Sequence, residues 1–373
     1  MATYCNAPHP EQSVILARHT PEYFSSLEQN RSTHTLYVAV RYVFIKQHPD
    51  DSLELSLVQA NHDQLNICYS AKNTEELDHL PDSAETPWKS LATSANIQFL
   101  PLDSSQVTLE TVTTTRTINP LAPLGDAVDI GKQHDNVINV YFAVLPQGTR
   151  VLGVAGVASN IVFCDARTVG SNIKKGAFNQ FGFGKVLVHE MGHALGLYHP
   201  FDDIGQECDG RKRYPDIPEQ IAANYDAYVD YVNGEWVQLN DNRSKDLAGI
   251  AGAKSCAKST SSTDTNLLEQ AVNFMDYTDD EQSRMFTPSQ VDVMRSYLSS
   301  HPEYTRLSTE SIVTNTTTET TETTDSWWTT ERIIGITIGA LIAFVAIMFL
   351  IYYFYVHKKP SRNDPQNPEL ATE

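Results

Sequence analysis

Residues 189 to 199 read His-Glu-Met-Gly-His-Ala-Leu-Gly-Leu-Tyr-His, which gathers three imidazoles and a carboxylate in one short segment, with a glycine at position 196. On a helix, the four-residue step from His189 to His193 puts both rings on one face, close enough to share one metal ion. Glu190 stands one position round from His189, so its carboxylate lies beside such an ion rather than on it. That placement suits a general base acting on water. Gly196 can take a left-handed conformation without steric cost, ending the helix and turning the chain back. His199, just past that turn, then becomes the third ligand. Three protein ligands leave the fourth position of a tetrahedral zinc open, the arrangement of a catalytic ion rather than a structural one. A bare H-E-x-x-H arises by chance in roughly one chain of this length in a hundred. The added glycine and third histidine lower that by about three orders of magnitude.

The extended string resembles that of the metzincin zinc endopeptidases, whose other hallmark is a tight turn carrying a methionine beneath the metal. Asn273-Phe274-Met275-Asp276-Tyr277 is the candidate turn. The text from Ala271 to Met294 also holds Asp279-Asp280 and Met285-Phe286-Thr287-Pro288-Ser289-Gln290, and it resembles the pappalysin-like (cytophagalysin) family of that clan. Phe183 to Val188 leads into the motif as in that family, and Asp216-Ile217-Pro218-Glu219-Gln220 is similar to its Asp-Thr-Pro stretch. The resemblance runs from about residue 35 to 300 and is densest from 137 to 298. It implies one catalytic Zn2+ and protein or peptide substrates. It also implies that Met275 is a packing floor rather than a ligand, and that Tyr277 hydrogen-bonds a developing oxyanion near the metal. A buried structural tyrosine is the other reading of Tyr277.

The chain departs from the family in its cysteines. Relatives usually carry one shortly after the methionine turn, and the stretch from Asp279 to Met285 has none. The resemblance implies a disulfide from Cys208, with Cys256 as its partner across the intervening loop. Two reduced thiols are the alternative. Five cysteines are an odd number, so at least one of Cys5, Cys68 and Cys164 stays unpaired or is used elsewhere, Cys5 as a thiolate that blocks the zinc in a latent form being one such use. Ca2+ is a second candidate ion, because relatives bind it and Asp202, Asp203, Glu207 and Asp209 cluster after the motif, although without calcium-loop spacing.

The elements that must position these residues show in the texture of the chain. Residues 35 to 45, 97 to 100 and 137 to 144 are rich in β-branched and aromatic residues and read as strands, with a helix within Ser56 to Leu65. Val151 to Val157 resembles the family's edge strand beside the cleft, on which a substrate peptide could pair. Thr287 to Gln290 is a capping box with proline at the first helical position, and Val291, Met294 and Leu298 give that helix an apolar face. The predicted fold is α+β and metzincin-like: a mixed twisted sheet over the active-site helix, then the methionine turn and a C-terminal helix.

The chain of 373 residues is 41% apolar, enough for one large core, and its net charge of -19 excludes nucleic acid as a partner. The uncharged run from Ile333 to Val356 exceeds the roughly 20 residues that cross a bilayer as a helix. Trp327 and Trp328 stand before it, and Tyr352, Tyr353 and Tyr355 near its end, as interfacial belts do. Thr309 to Thr330 is Thr-rich and reads as a disordered or O-glycosylated stalk. Asn30, Asn242 and Asn315 begin N-glycosylation patterns of near-chance frequency. The expected organisation is an N-terminal segment (1–34), a protease domain (35–306), a stalk (307–331), a transmembrane helix (332–356) and a short tail (357–373). Lys358, Lys359 and Arg362 place the tail in the cytosol and the catalytic domain in an extracellular or luminal space. The first residues lack a signal-peptide core, which fits instead a tail-anchored protein facing the cytosol. These readings converge on a membrane-anchored zinc endopeptidase in which Glu190 activates water. The alternative is an inactive, zinc-stabilised binding or adhesion ectodomain, against which the intact Glu190 argues.

Overall fold

The computed structural model describes residues 21–29, 34–80, 82, 87–102, 106–146, 149, 151–177, 181–201, 213–217, 223, 229–232, 235–238 and 272–306. Outside them lie Cys5, Cys208 and Cys256, the carboxylates Asp202, Asp203, Glu207 and Asp209, the Thr-rich stretch and the apolar run from Ile333 to Val356. No helix among the described residues is long and apolar enough to cross a membrane.

Strand β1 (Leu36–Lys46) is buried along residues 38–45. A strand covered on both faces must lie inside a sheet, and β1 does. β2 (Ile97–Pro101) and β3 (Leu109–Thr113) run parallel to successive halves of one side of it, and β4 (Ile138–Ala143) runs parallel on the other. β5 (Gly153–Ala155) and β6 (Ile161–Asp165) complete the order β2-β1-β4-β6-β5, with β5 antiparallel at the edge. A short antiparallel segment, Thr305–Arg306, returns to β1.

Alternation of side chains splits the core in two. Val38, Val40, Tyr42 and Phe44 face the larger core, and Val43 and Ile45 the smaller. The larger core is roofed by α2 (Leu55–Tyr69), by α6 (Lys185–Ala194), which carries the histidine motif, and by α7 (Pro288–Ser300). The smaller is closed by α5 (Pro123–Gly131) through Ala127. Three further short helices, α1 (Pro21–Gln29), α3 (Thr74–Asp78) and α4 (Trp88–Leu91), complete those used below.

The three strands, the helix between the first two, the edge strand and the capped helix expected from sequence are all present. The mixed sheet is as expected, with helices in its connections from β1 to β2 and from β3 to β4. Parallel neighbours such as β1 and β2 need a crossover, and α2 supplies it. β3, α5 and β6 are additions to the predicted order. β6 is a short run buried without alternation, and α5 is brief and starts at a proline, so neither has a strong periodic signature.

Candidate active site

The elements around α6 fix its two ends. At its start Gly184 adopts φ +81°, and its carbonyl accepts from Asn61 Nδ2 of α2 at 2.9 Å. Asp280, from the loop after the methionine turn, accepts from the amides of Phe183 (2.9 Å) and Lys185 (3.2 Å) through one carboxylate oxygen. A carboxylate here satisfies orphan donors and complements the helix dipole. At the other end Gly196, at φ +95°, donates to the His193 carbonyl (2.8 Å) and Leu197 donates to that of Gly192 (2.9 Å). This pair of bonds is a Schellman termination, which glycine makes without strain.

That termination carries His199 back over the helix. His189, His193 and His199 are all buried and offer ligand atoms within 4.8 Å of one another. His193 Nε2 lies 3.1 Å from His189 Nε2 and 3.0 Å from His199 Nε2. Two nitrogens on tetrahedral zinc bonds of about 2.0–2.1 Å stand roughly 3.3 Å apart, so the spacing fits one ion. Their tautomers agree. His189 Nδ1 is 2.7 Å from the Phe274 carbonyl and His193 Nδ1 is 2.8 Å from that of Leu197. A carbonyl only accepts, so each neutral ring carries its hydrogen on Nδ1 and aims a lone pair from Nε2. Lone pairs facing one another at this range repel unless a cation lies between them, and the donor set is one zinc accepts.

Met275 is fully buried against α6, with its Sδ 2.4 Å from where a Cβ on Gly192 would stand. Its amide donates to Asn273 Oδ1 (2.9 Å), and Asn273 exchanges two side-chain bonds with Gln290 in the first turn of α7 (2.9 and 3.0 Å). Tyr277 is buried beside the histidines, its ring centroid 4.7 Å from His199 and 5.7 Å from His189. Phe201 stacks on His199 at 4.7 Å. Glu190 is fully buried, its side chain against Gly153 of β5.

Several positioning residues were not legible in the sequence. Lys185, itself buried, donates to Glu76 Oε1 (2.6 Å) and to the Ser283 carbonyl (2.7 Å), tying α3 and the loop after the methionine turn to the start of α6. Burial alone would raise the Glu76 carboxyl, but the Lys185 ammonium and the side-chain hydrogen bonds hold it below its usual range. Asp280 is pushed up from 3.8 to about 7 by burial, with Lys185 and the two amides opposing. Asp216, noted only for its family text, caps α7 by accepting from Thr287 Oγ1 (3.0 Å) and the Ser289 amide (2.8 Å). Arg213 holds the His199 carbonyl at 2.8 Å. Cys68 and Cys164 are free and buried, and burial followed by the charges of Glu190 and Asp165 keeps Cys164 a neutral thiol.

The three clustered imidazoles, the adjoining carboxylate and the methionine turn beneath them have the arrangement that a zinc peptidase of the metzincin type requires. Residues 169–299 match the family model described as pregnancy-associated plasma protein-A, and a reprolysin-like metallopeptidase model matches residues 95–200. The match to the first family thus lies over the segment that carries the three histidines and the methionine turn. An extracellular metalloprotease of Colletotrichum graminicola is 28% identical over 167 residues, covering 43% of this chain and 49% of that protein. One of Pyricularia oryzae is 29% identical over 160 residues, covering 41% and 45%. The chain therefore spans about half the length of the curated relatives it matches. In fold it is similar to a Tannerella forsythia promirolysin mutant, with a TM-score of 0.55, 17% identity, and coverage of 79% of this chain and 94% of that one.

Proposed function

We propose that the protein is a zinc metalloendopeptidase that hydrolyses peptide bonds of proteins or peptides. The observation that carries this reading is the convergence of three Nε2 atoms, 3.0 and 3.1 Å apart in successive pairs, next to the buried Glu190. His189, His193 and His199 would hold the ion. When bound, zinc supplies a Lewis acid that polarises a carbonyl and acidifies water. Glu190 takes the proton of the attacking water and hands it to the leaving amine, the work of a general acid and base that needs no covalent intermediate. Tyr277, beside His189 and His199, donates to the oxygen on which charge develops. The Phe274 carbonyl holds the His189 ring, and the neighbouring Met275 packs against α6 at Gly192.

The apolar run from Ile333 to Val356 with its flanking aromatic and basic residues supports a single membrane anchor, and the Thr-rich stretch before it a stalk. Relatives named extracellular metalloproteases support a catalytic domain on the exterior face. A Cys208 to Cys256 disulfide would fit that compartment. Calcium has the weaker support of the acidic cluster alone.

The full chain, incubated with a mixed peptide library, is expected to release new termini. Glu190→Ala is expected to lower the rate by about 10² to 10⁴-fold while zinc stays bound, and chelation to abolish it. Equal product from all three would refute the peptidase reading.

A further inference from the structure

Gly153 stands opposite Cys164 in the antiparallel pair of β5 and β6. The Asp165 amide donates to the Leu152 carbonyl at 2.8 Å, so Leu152 turns its backbone groups toward β6. By the alternation of such a pair, Gly153 turns its N–H and C=O to the other side, the edge of the sheet. Among the described residues no strand pairs with β5 on that side. A Cβ on Gly153 would lie 2.6 Å from both Cγ and Oε1 of Glu190, and 2.9 Å from its Cδ. Non-bonded carbons sit about 3.5–4.0 Å apart, so no side chain at 153 coexists with Glu190 where it stands.

α6 has little freedom to yield. His189 is tied to Phe274, His193 to Leu197, and the amides of Ala158 and Ser159 donate to the carbonyls of His193 and Ala194. The Glu190 side chain, with its rotatable bonds, is the part that would move. We infer that Gly153 is a positioning residue, and that the space left by its absent side chain is the seat that holds the Glu190 carboxylate beside the strand edge where a peptide would lie. This rests on the peptidase reading of the site. Gly153 thereby joins two requirements at one position: its backbone faces an extended peptide, while its missing side chain aims the base at the same place.

The test is a cycle on the full chain. Gly153→Ala is expected to lower kcat for a defined peptide about 100-fold, as an ångström of misplacement does, with KM changed less than about threefold and one zinc still bound per chain. Glu190→Asp shortens the side chain by a methylene and clears the seat, so adding Gly153→Ala in that background is expected to cost less than about threefold more. The same coupling is readable without activity. Gly153→Ala is expected to lower the Tm of the otherwise native chain by several degrees, on the order of 4, and to leave that of the Glu190→Ala chain unchanged. An equal loss of Tm in both backgrounds, an equal loss of kcat with Glu190 and with Glu190→Asp, or an unaltered kcat in Gly153→Ala would overturn the proposal. A native chain that cleaves no peptide would sink the peptidase reading instead, and the unfolding cycle would still decide whether Gly153 seats Glu190.

Discussion

Two hydrogens, those that stand for side chains at Gly192 and Gly153, decide how closely the methionine turn and the edge strand approach α6. At Gly192 the two consequences of adding a methyl oppose each other. Alanine favours a helix by about 1 kcal/mol over glycine. The added Cβ, however, would meet the Met275 sulfur at 2.4 Å, and Met275 is fully enclosed. Overpacking of that kind costs about 1–3 kcal/mol, so Gly192→Ala is expected to be destabilising by about 1 kcal/mol in urea unfolding. Because Phe274, next to Met275, orients His189 by its carbonyl, the displaced turn should also weaken zinc binding about tenfold in a chelator competition. The histidine cluster itself was legible from the sequence, since its spacing is set by helix geometry and one glycine. The two close approaches were not, because a glycine in a list of residues does not say which neighbour will occupy its space.

At the scale of the element, α6 is held less by its own propensity than by what meets its ends. The Schellman turn at Gly196 and the capping box of α7 were readable because their partners lie within a few residues. The Asp280 cap and the Lys185 to Glu76 pair were not, since they join residues 95 and 109 positions apart. Lys185→Met should test the pair. Losing one partner of a buried ion pair costs about 3–5 kcal/mol, and because Glu76 retains some exposure the lower end is expected in denaturant unfolding. Asp280 adds a pH dependence. Its carboxyl titrates near 7 in the fold against an ordinary 3.8, so between those values the folded chain keeps a proton that the unfolded chain has released. The group's contribution to stability is therefore most favourable below the lower value and declines as pH rises toward the upper. Asp280→Asn keeps an acceptor for the two amides and removes the titration. The Tm of the native chain relative to this variant is expected to rise as pH is lowered from about 8 to about 5.

At the scale of the whole molecule, the proposed anchor, the apolar run from Ile333 to Val356, would set the reach of the site. The 373-residue chain is expected to stay with membranes through alkaline extraction and to partition into detergent, whereas a chain ending at Arg306 should be released. Recovery of both in the aqueous fraction would remove the anchor from the proposal. The sheet that carries the site was half legible. Its long buried strand and its capped last helix have strong local signatures, while β3, α5 and β6 are short and take their form from neighbours. What the sequence by itself determined was the candidate ligand set, the candidate base and the turn that returns the third imidazole, because helical periodicity and glycine's freedom at positive φ act over a few residues. Only the tertiary structure decided that the Phe274 carbonyl, 85 positions from His189, fixes that ring's tautomer, that Asp280 caps the zinc-site helix, and that Gly153 makes room for Glu190. Those are contacts between distant segments, and they follow from how the sheet, α6 and the methionine turn pack, which no local rule of spacing specifies.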